Sequence, residues 1–105
     1  MSYGRLSFAV NRLYYAMFYA ITAILTAKGE SYRKHSGVRA ALHRDFVKTG
    51  KINKETGRIY DELFNTRYQA DYTPFVEFDK DVVKEQAVEV EKFIKEFKLL
   101  VVELL

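Results

Sequence analysis

Three stretches of this 105-residue chain carry residue types and spacings that chemistry can use. The first is Asn11-Arg12-Leu13-Tyr14-Tyr15-Ala16-Met17-Phe18, in which Arg12, Tyr15 and Tyr19 share one face of a helix. A cation among aromatic rings is a candidate for holding an anionic ligand. The same pattern also describes an aromatic core with an arginine whose head snorkels to water. The second is Lys34-His35-Ser36-Gly37-Val38, at the expected start of a helix. Helix N-termini bind anions through free N–H groups, and Lys34 and His35 would help, although an ordinary cap reads the same way. The third is Arg67-Tyr68-Gln69-Ala70-Asp71-Tyr72. Arg67 and Asp71 lie one turn apart and can pair. An arginine on a half-apolar face needs a partner or a phosphate, because an unpaired buried charge is costly.

Other chemistry is missing. The five glycines are scattered, so there is no glycine-rich phosphate loop. There is no His-Glu-x-x-His, and the only histidines, His35 and His43, lie eight apart without clustered carboxylates. No metal or other cofactor is expected, since a metal needs three or four convergent ligands. Without cysteine there is no disulfide, thiolate zinc site or cysteine nucleophile, which fits a reducing, cytoplasmic setting. A catalytic triad has no candidate set.

The elements that position the three stretches are helical. Leu6, Val10, Leu13, Met17, Ile21 and Ile24 recur at spacings of three and four, which predicts a first helix over about 5–27. Ala9, Ala16, Ala20, Ala23 and Ala27 make a stripe of small residues beside it. A second helix is expected over 36–48, capped by Ser36, buried along Val38, Leu42 and Phe46, and ended by Gly50. A third is expected over 54–72, capped by Asn53, with Tyr60, Leu63, Phe64 and Tyr68 inward, and stopped by the Thr73-Pro74 pair. The last is expected over 81–104, with Val83, Ala87, Val90, Ile94, Phe97, Val101 and Leu104 as its buried stripe. The expectation is one all-α domain over residues 1–105, an up-and-down antiparallel bundle of about four helices. No signal-peptide layout and no bilayer-length apolar run is expected, so no membrane partner.

Charge is uneven. The segment from Arg33 to Arg58 carries +6, and the segment from Asp71 to the C-terminus carries −4. Such a balance attracts phosphate or a second copy of the chain, or simply solvates helix faces.

Taken in order, the Asn11-Arg12-x-Tyr14-Tyr15-Ala16-x-Phe18 run, the His35-Ser36-Gly37 turn and the Arg67-x-x-Ala70-Asp71-Tyr72 helix end resemble the HEPN domain family (higher eukaryotes and prokaryotes nucleotide-binding). The likeness is to its small prokaryotic single-domain branch and covers about 5–97. It implies a helical bundle, usually a homodimer, often working with a minimal nucleotidyltransferase as a toxin–antitoxin pair. The family usually has another helix ahead of the Asn11–Phe18 run, and this chain is expected to lack most of it. Active toxins of the broader family are metal-independent ribonucleases. Their motif is an arginine followed four to six residues later by a histidine, contributed by both subunits at the dimer cleft.

Arg67 matches that arginine, but the residue five on is Tyr72, and no histidine follows within reach. Tyrosine titrates near pH 10 and is a poor base at neutral pH. On the resemblance, the nucleotide- or RNA-binding residues are Arg12, Tyr15, Lys34, His35, Ser36, Arg67 and Asp71. The leading expectation is a partner of a nucleotidyltransferase. A ribonuclease reading would use Arg67 and Tyr72 with His35 or His43 brought from elsewhere, and a non-catalytic nucleotide- or RNA-binding module is the third reading.

Overall fold

A computed structural model describes the backbone of residues 3–72 and 78–104 and the side chains of residues 5–67 and 78–103. Four α-helices and no strand occur among the described residues: α1 Tyr3–Ala27, α2 His35–Leu42, α3 Lys54–Tyr72 and α4 Lys80–Leu104. The three long helices pack on one another, and α2 closes against α1 and α3. The fold is the expected all-α bundle.

Local sequence explains the boundaries. Gly29 and Gly50 take φ of +80° and +79°, the left-handed stops that glycine reaches without steric cost. Asn53 accepts the Glu55 N–H through its side chain at 2.8 Å, as expected of a cap. Asp79 does the same for α4, accepting from the Asp81 and Val82 N–H groups. Ser36 does not cap α2; it is exposed inside the first turn, and Lys34 occupies the cap position without a side-chain bond. α3 reaches Tyr72, the residue before the Thr73-Pro74 pair expected to stop it; that pair lies outside the described residues.

The expected second helix is two pieces. After Leu42 the chain widens into a π-helical turn, His43–Val47, where the Lys48 N–H reaches five residues back to the His43 carbonyl at 2.8 Å. Close packing accompanies the widening. A Cβ on Gly57 of α3 would sit 3.0 Å from Val47 Cγ2 and 3.1 Å from His43 Cε1, so glycine lets the two segments approach.

Polar side chains tie the same junction. Asp61 Oδ1 accepts from Arg39 Nε at 2.8 Å and from His43 Nε2 at 2.9 Å. Replacing Asp61 with Ala is expected to lower stability by about 1 kcal/mol, the scale of charge-assisted bonds in a half-exposed setting. Urea midpoints of Asp61→Ala and Asp61→Asn check it, with the asparagine variant losing less.

The core is continuous. α1 contributes Val10, Tyr14, Met17, Ile21, Ile24 and Leu25; α2 and its π turn add Val38, Leu42 and Phe46; α3 adds Ile59, Tyr60 and Leu63. One expectation about stripes needs correction. On α4 the buried line runs through Val83, Gln86, Val90 and Phe93, while Ala87 is exposed and Ile94, Phe97 and Val101 are half-buried. On α1 only Ala20 of the small-residue stripe is buried; Ala16, Ala23 and Ala27 face solvent. The side chains of Tyr68 and Leu104 lie outside the described residues.

Another correction concerns length. Residues Arg5–Ala27 of α1 are long and apolar enough to cross a bilayer by composition alone. The Val10–Tyr14–Met17–Ile21–Ile24 face of that helix is the seat of the bundle core.

Candidate functional site

α1 carries Tyr14, Tyr15, Phe18 and Tyr19 within little more than one turn. Helical geometry therefore sends Tyr14 into the core and leaves Tyr19 64% exposed, with Tyr15 half-buried between them. The last turns of α3 bring Arg67 against this aromatic group. Its guanidinium carbon lies 4.7 Å from the Tyr14 ring centre and 5.7 Å from that of Tyr15, within range of cation–π attraction to both faces. The first residue of α2, His35, enters from the third side. Its ring stacks on Phe18 at 4.3 Å and 11°, and its Nδ1 meets the Tyr14 hydroxyl at 2.6 Å. Three separate helices thus converge on one arginine, one histidine and a wall of tyrosine rings.

Burial sets the protonation states. It pushes the Tyr14 hydroxyl above the ordinary tyrosine value, against the lowering influence of Tyr60 and Arg67. Tyr60, fully buried behind it, is raised too, first by burial and then by Tyr14. Both phenols keep their protons at neutral pH. Burial, and secondarily the Arg67 cation, hold the His35 imidazole below its ordinary value, so it is neutral there.

A stability consequence follows. Below about pH 6.5 the unfolded chain takes up a proton at His35 before the native chain does, so stability rises with pH through that window and is lost as pH falls. Thermal midpoints at pH 7.5 and 5.5 are expected to drop more in the parent chain than in His35→Gln. Equal drops would remove His35 as the cause.

The HEPN domain family model matches residues 1–100. The chain belongs to the HEPN domain family. It is 49% identical over 100 residues to a Thermotoga maritima protein named "UPF0332 protein", covering 95% of this chain and 76% of that one. It is 39% identical over 74 residues to a Methanocaldococcus jannaschii protein named "Putative toxin", covering 70% of this chain and 50% of that protein. A second M. jannaschii protein with the same description is 36% identical over 93 residues, covering 86% and 69%. No solved structure gives a significant match.

Against the expected HEPN site, Arg67, Tyr15 and His35 come together. Arg12 stands apart on the exposed side of α1, its guanidinium 5.6 Å from the Phe8 ring centre. It still joins the group through Tyr15: Asn11, Arg12, Tyr15, Ala16 and Tyr19 line one open recess of about 370 Å³. Lys34 and Ser36 are exposed at the start of α2, where only His35 of that turn reaches the aromatic wall. The side chains of Asp71 and Tyr72 lie outside the described residues. His43, the other histidine, is engaged by Asp61.

The basic segment is also less free than its charge suggests. Arg39 pairs with Asp61, Arg44 with Asp45 and the Tyr32 hydroxyl, and Arg58 with Glu55 and Glu62. Lys34, Lys48, Lys51 and Lys54 remain exposed.

Sequence reasoning missed Tyr14 as a polar participant and Tyr60 behind it. A tyrosine on the buried stripe was the available signal, because a buried tyrosine hydroxyl usually finds a partner. Among the described residues no cluster of three His, Cys, Asp or Glu side chains could hold a metal.

Proposed function

We propose that this HEPN protein is the toxin-type member of a toxin–antitoxin pair in the cytoplasm, that its partner is a minimal nucleotidyltransferase, and that it binds nucleotide or RNA in a cleft around Arg67 at a homodimer interface. The observation that carries the reading is the position of Arg67, across the faces of Tyr14 and Tyr15 and beside neutral His35. A planar cation among rings suits an anion that also carries a π-face, as a nucleotide does. Arg12 and Tyr19 extend the same surface along α1. Phe8, 65% exposed, and Tyr19 give α1 the apolar area that a second copy would cover. The family and the names of two relatives support the toxin assignment by analogy.

The test is expression from an inducible promoter with and without the neighbouring nucleotidyltransferase gene. Growth arrest relieved by co-expression, with the two proteins purifying together, is the expected result. Neither arrest nor complex would reject the pairing. RNA affinity that falls steeply with salt tests the cleft, since displacing counterions from phosphates requires that dependence.

One observation favours a second reading, a metal-independent ribonuclease. The segment after Arg67 lacks the family's histidine, yet the fold brings His35 to the same aromatic wall from α2. Arginine would hold the scissile phosphate and histidine would move the proton. Equal RNA cleavage by the parent chain and Arg67→Ala would exclude it.

A further inference from the structure

We propose that Tyr14 is a positioning residue: by donating its hydroxyl proton to His35 Nδ1 it fixes the imidazole as the Nε2–H tautomer, making His35 an uncharged hydrogen-bond donor for a phosphate oxygen beside Arg67. The ligand half of this statement rests on the nucleotide- or RNA-binding reading above. The tautomer half rests on geometry alone.

The argument is a count of protons. The contact between Tyr14 and His35 Nδ1 is 2.6 Å, short for a neutral hydrogen bond, and one of the two groups must donate. Suppose His35 donated. The Tyr14 proton would then have to turn elsewhere, and its surroundings are the rings of Tyr15, Phe18, Tyr60 and Phe64. Among the described residues only the Tyr60 oxygen is placed to receive it, and the Tyr60 proton would be left buried without an acceptor. Suppose instead that Tyr14 donates. Its oxygen then stays open toward the buried Tyr60 hydroxyl, which has no hydrogen-bond partner among the described residues and feels Tyr14 electrostatically. The second arrangement leaves the Tyr60 proton an oxygen to turn toward and the first leaves it none, and stranding a buried donor is the expensive outcome.

The consequence falls on the far nitrogen. With Nδ1 accepting, the neutral ring carries its proton on Nε2. Nε2 has no partner among the described residues and is not a buried atom, so it is available to a ligand. The ring cannot swing away, because it is clamped flat on Phe18 with Tyr14 stacked at 5.8 Å. The charged and titratable groups around it are Tyr14 and Tyr15 on α1, Arg67 and Tyr60 on α3, and Lys34 on its own strand of backbone. No carboxylate is in contact with it among the described residues, and the Arg67 cation acts on it through space, so the neighbourhood disfavours an imidazolium. Arg67 would bring the charge and His35 the direction.

The experiment is long-range ¹H–¹⁵N NMR on protein labelled at histidine, with His35→Gln used to assign the two rings. In the parent chain at pH 7.5, His35 is expected to show a bare Nδ1 and a protonated Nε2. Tyr14→Phe removes only the hydroxyl and is expected to give a mixture of tautomers and a higher His35 titration midpoint. Affinity of Tyr14→Phe for a 12-nucleotide single-stranded RNA is expected to fall about fivefold at pH 7.5, the scale of one neutral hydrogen bond, and to recover on acidification as the ring gains charge. A protonated Nδ1 in the parent chain overturns the proposal even if the variant fails to fold. An unchanged tautomer in a folded Tyr14→Phe overturns it as well. Absence of RNA binding by the parent chain rejects the functional reading and the ligand half with it, while the tautomer measurement still decides what Tyr14 does.

Discussion

Phe93→Ala is expected to lower stability by about 3–5 kcal/mol, the usual cost of emptying a fully buried phenylalanine site. Phe93 is completely buried on α4, its ring 6.3 Å from that of Phe97. α4 packs most heavily against α1, so a void there loosens the principal helix contact of the bundle. A domain of this size holds on the order of 5–15 kcal/mol in total, so the loss takes a large share of it and lowers the thermal midpoint by about 12 °C or more. Two controls make the measurement informative. Leu99→Ala, at a side chain 69% exposed, should change stability by less than about 0.5 kcal/mol. Ile94→Ala should fall between, because Ile94 is only half-buried. Equal costs at positions 93 and 94 would contradict the packing of α4.

The ordering of positions 93 and 94 also measures what the sequence could say. Spacing alone picks Ile94 for the buried stripe and passes over Phe93. α4 carries apolar residues at Val82, Val83, Ala87, Val88, Val90, Phe93, Ile94, Phe97 and Leu99 to Val102, which is wider than one stripe. Periodicity says that such a segment is helical; only the partner helices decide which edge of the broad face goes deepest. Gln86 shows the same limit. It is buried because its amide can donate to Glu62 on α3 at 3.3 Å, a contact no local rule anticipates. Helix ends were far more legible, since Gly29, Gly50 and Asn53 act through their own backbone or a neighbour two residues away. The π turn was not, because it accompanies the close approach of Gly57, ten or more residues further on.

The site divides the same way. A half-apolar helix face made Arg67 conspicuous, since a cation there must find compensation, and it found the faces of two tyrosines. Tyr14 and His35 are 21 residues apart, and neither predicts the other without the fold. Read singly, Tyr14 is aromatic bulk and His35 is a residue at a helix start. The +6 segment misled in the opposite direction: its arginines look like an anion-binding patch but mostly answer carboxylates within the same fold.

Arg67→Ala is expected to weaken RNA binding by about 10- to 100-fold, the range for losing one well-placed arginine contact, and to reduce the slope of affinity against salt by about one ion. Arg67→Lys separates the two things the side chain does. Lysine keeps the positive charge, so the salt slope should stay near the parent value. It loses the planar fork that lies across Tyr14 and Tyr15, so affinity should still fall. The two variants also differ at His35. Arg67 is a secondary cause of the lowered imidazole, after burial, so alanine should move the His35 midpoint part of the way back up and lysine should move it less. A guanidinium acting only as structural packing predicts something else: loss of stability with no change in salt slope. The salt slope and the stability of the two variants thus distinguish an arginine that takes a phosphate from one that merely closes the bundle.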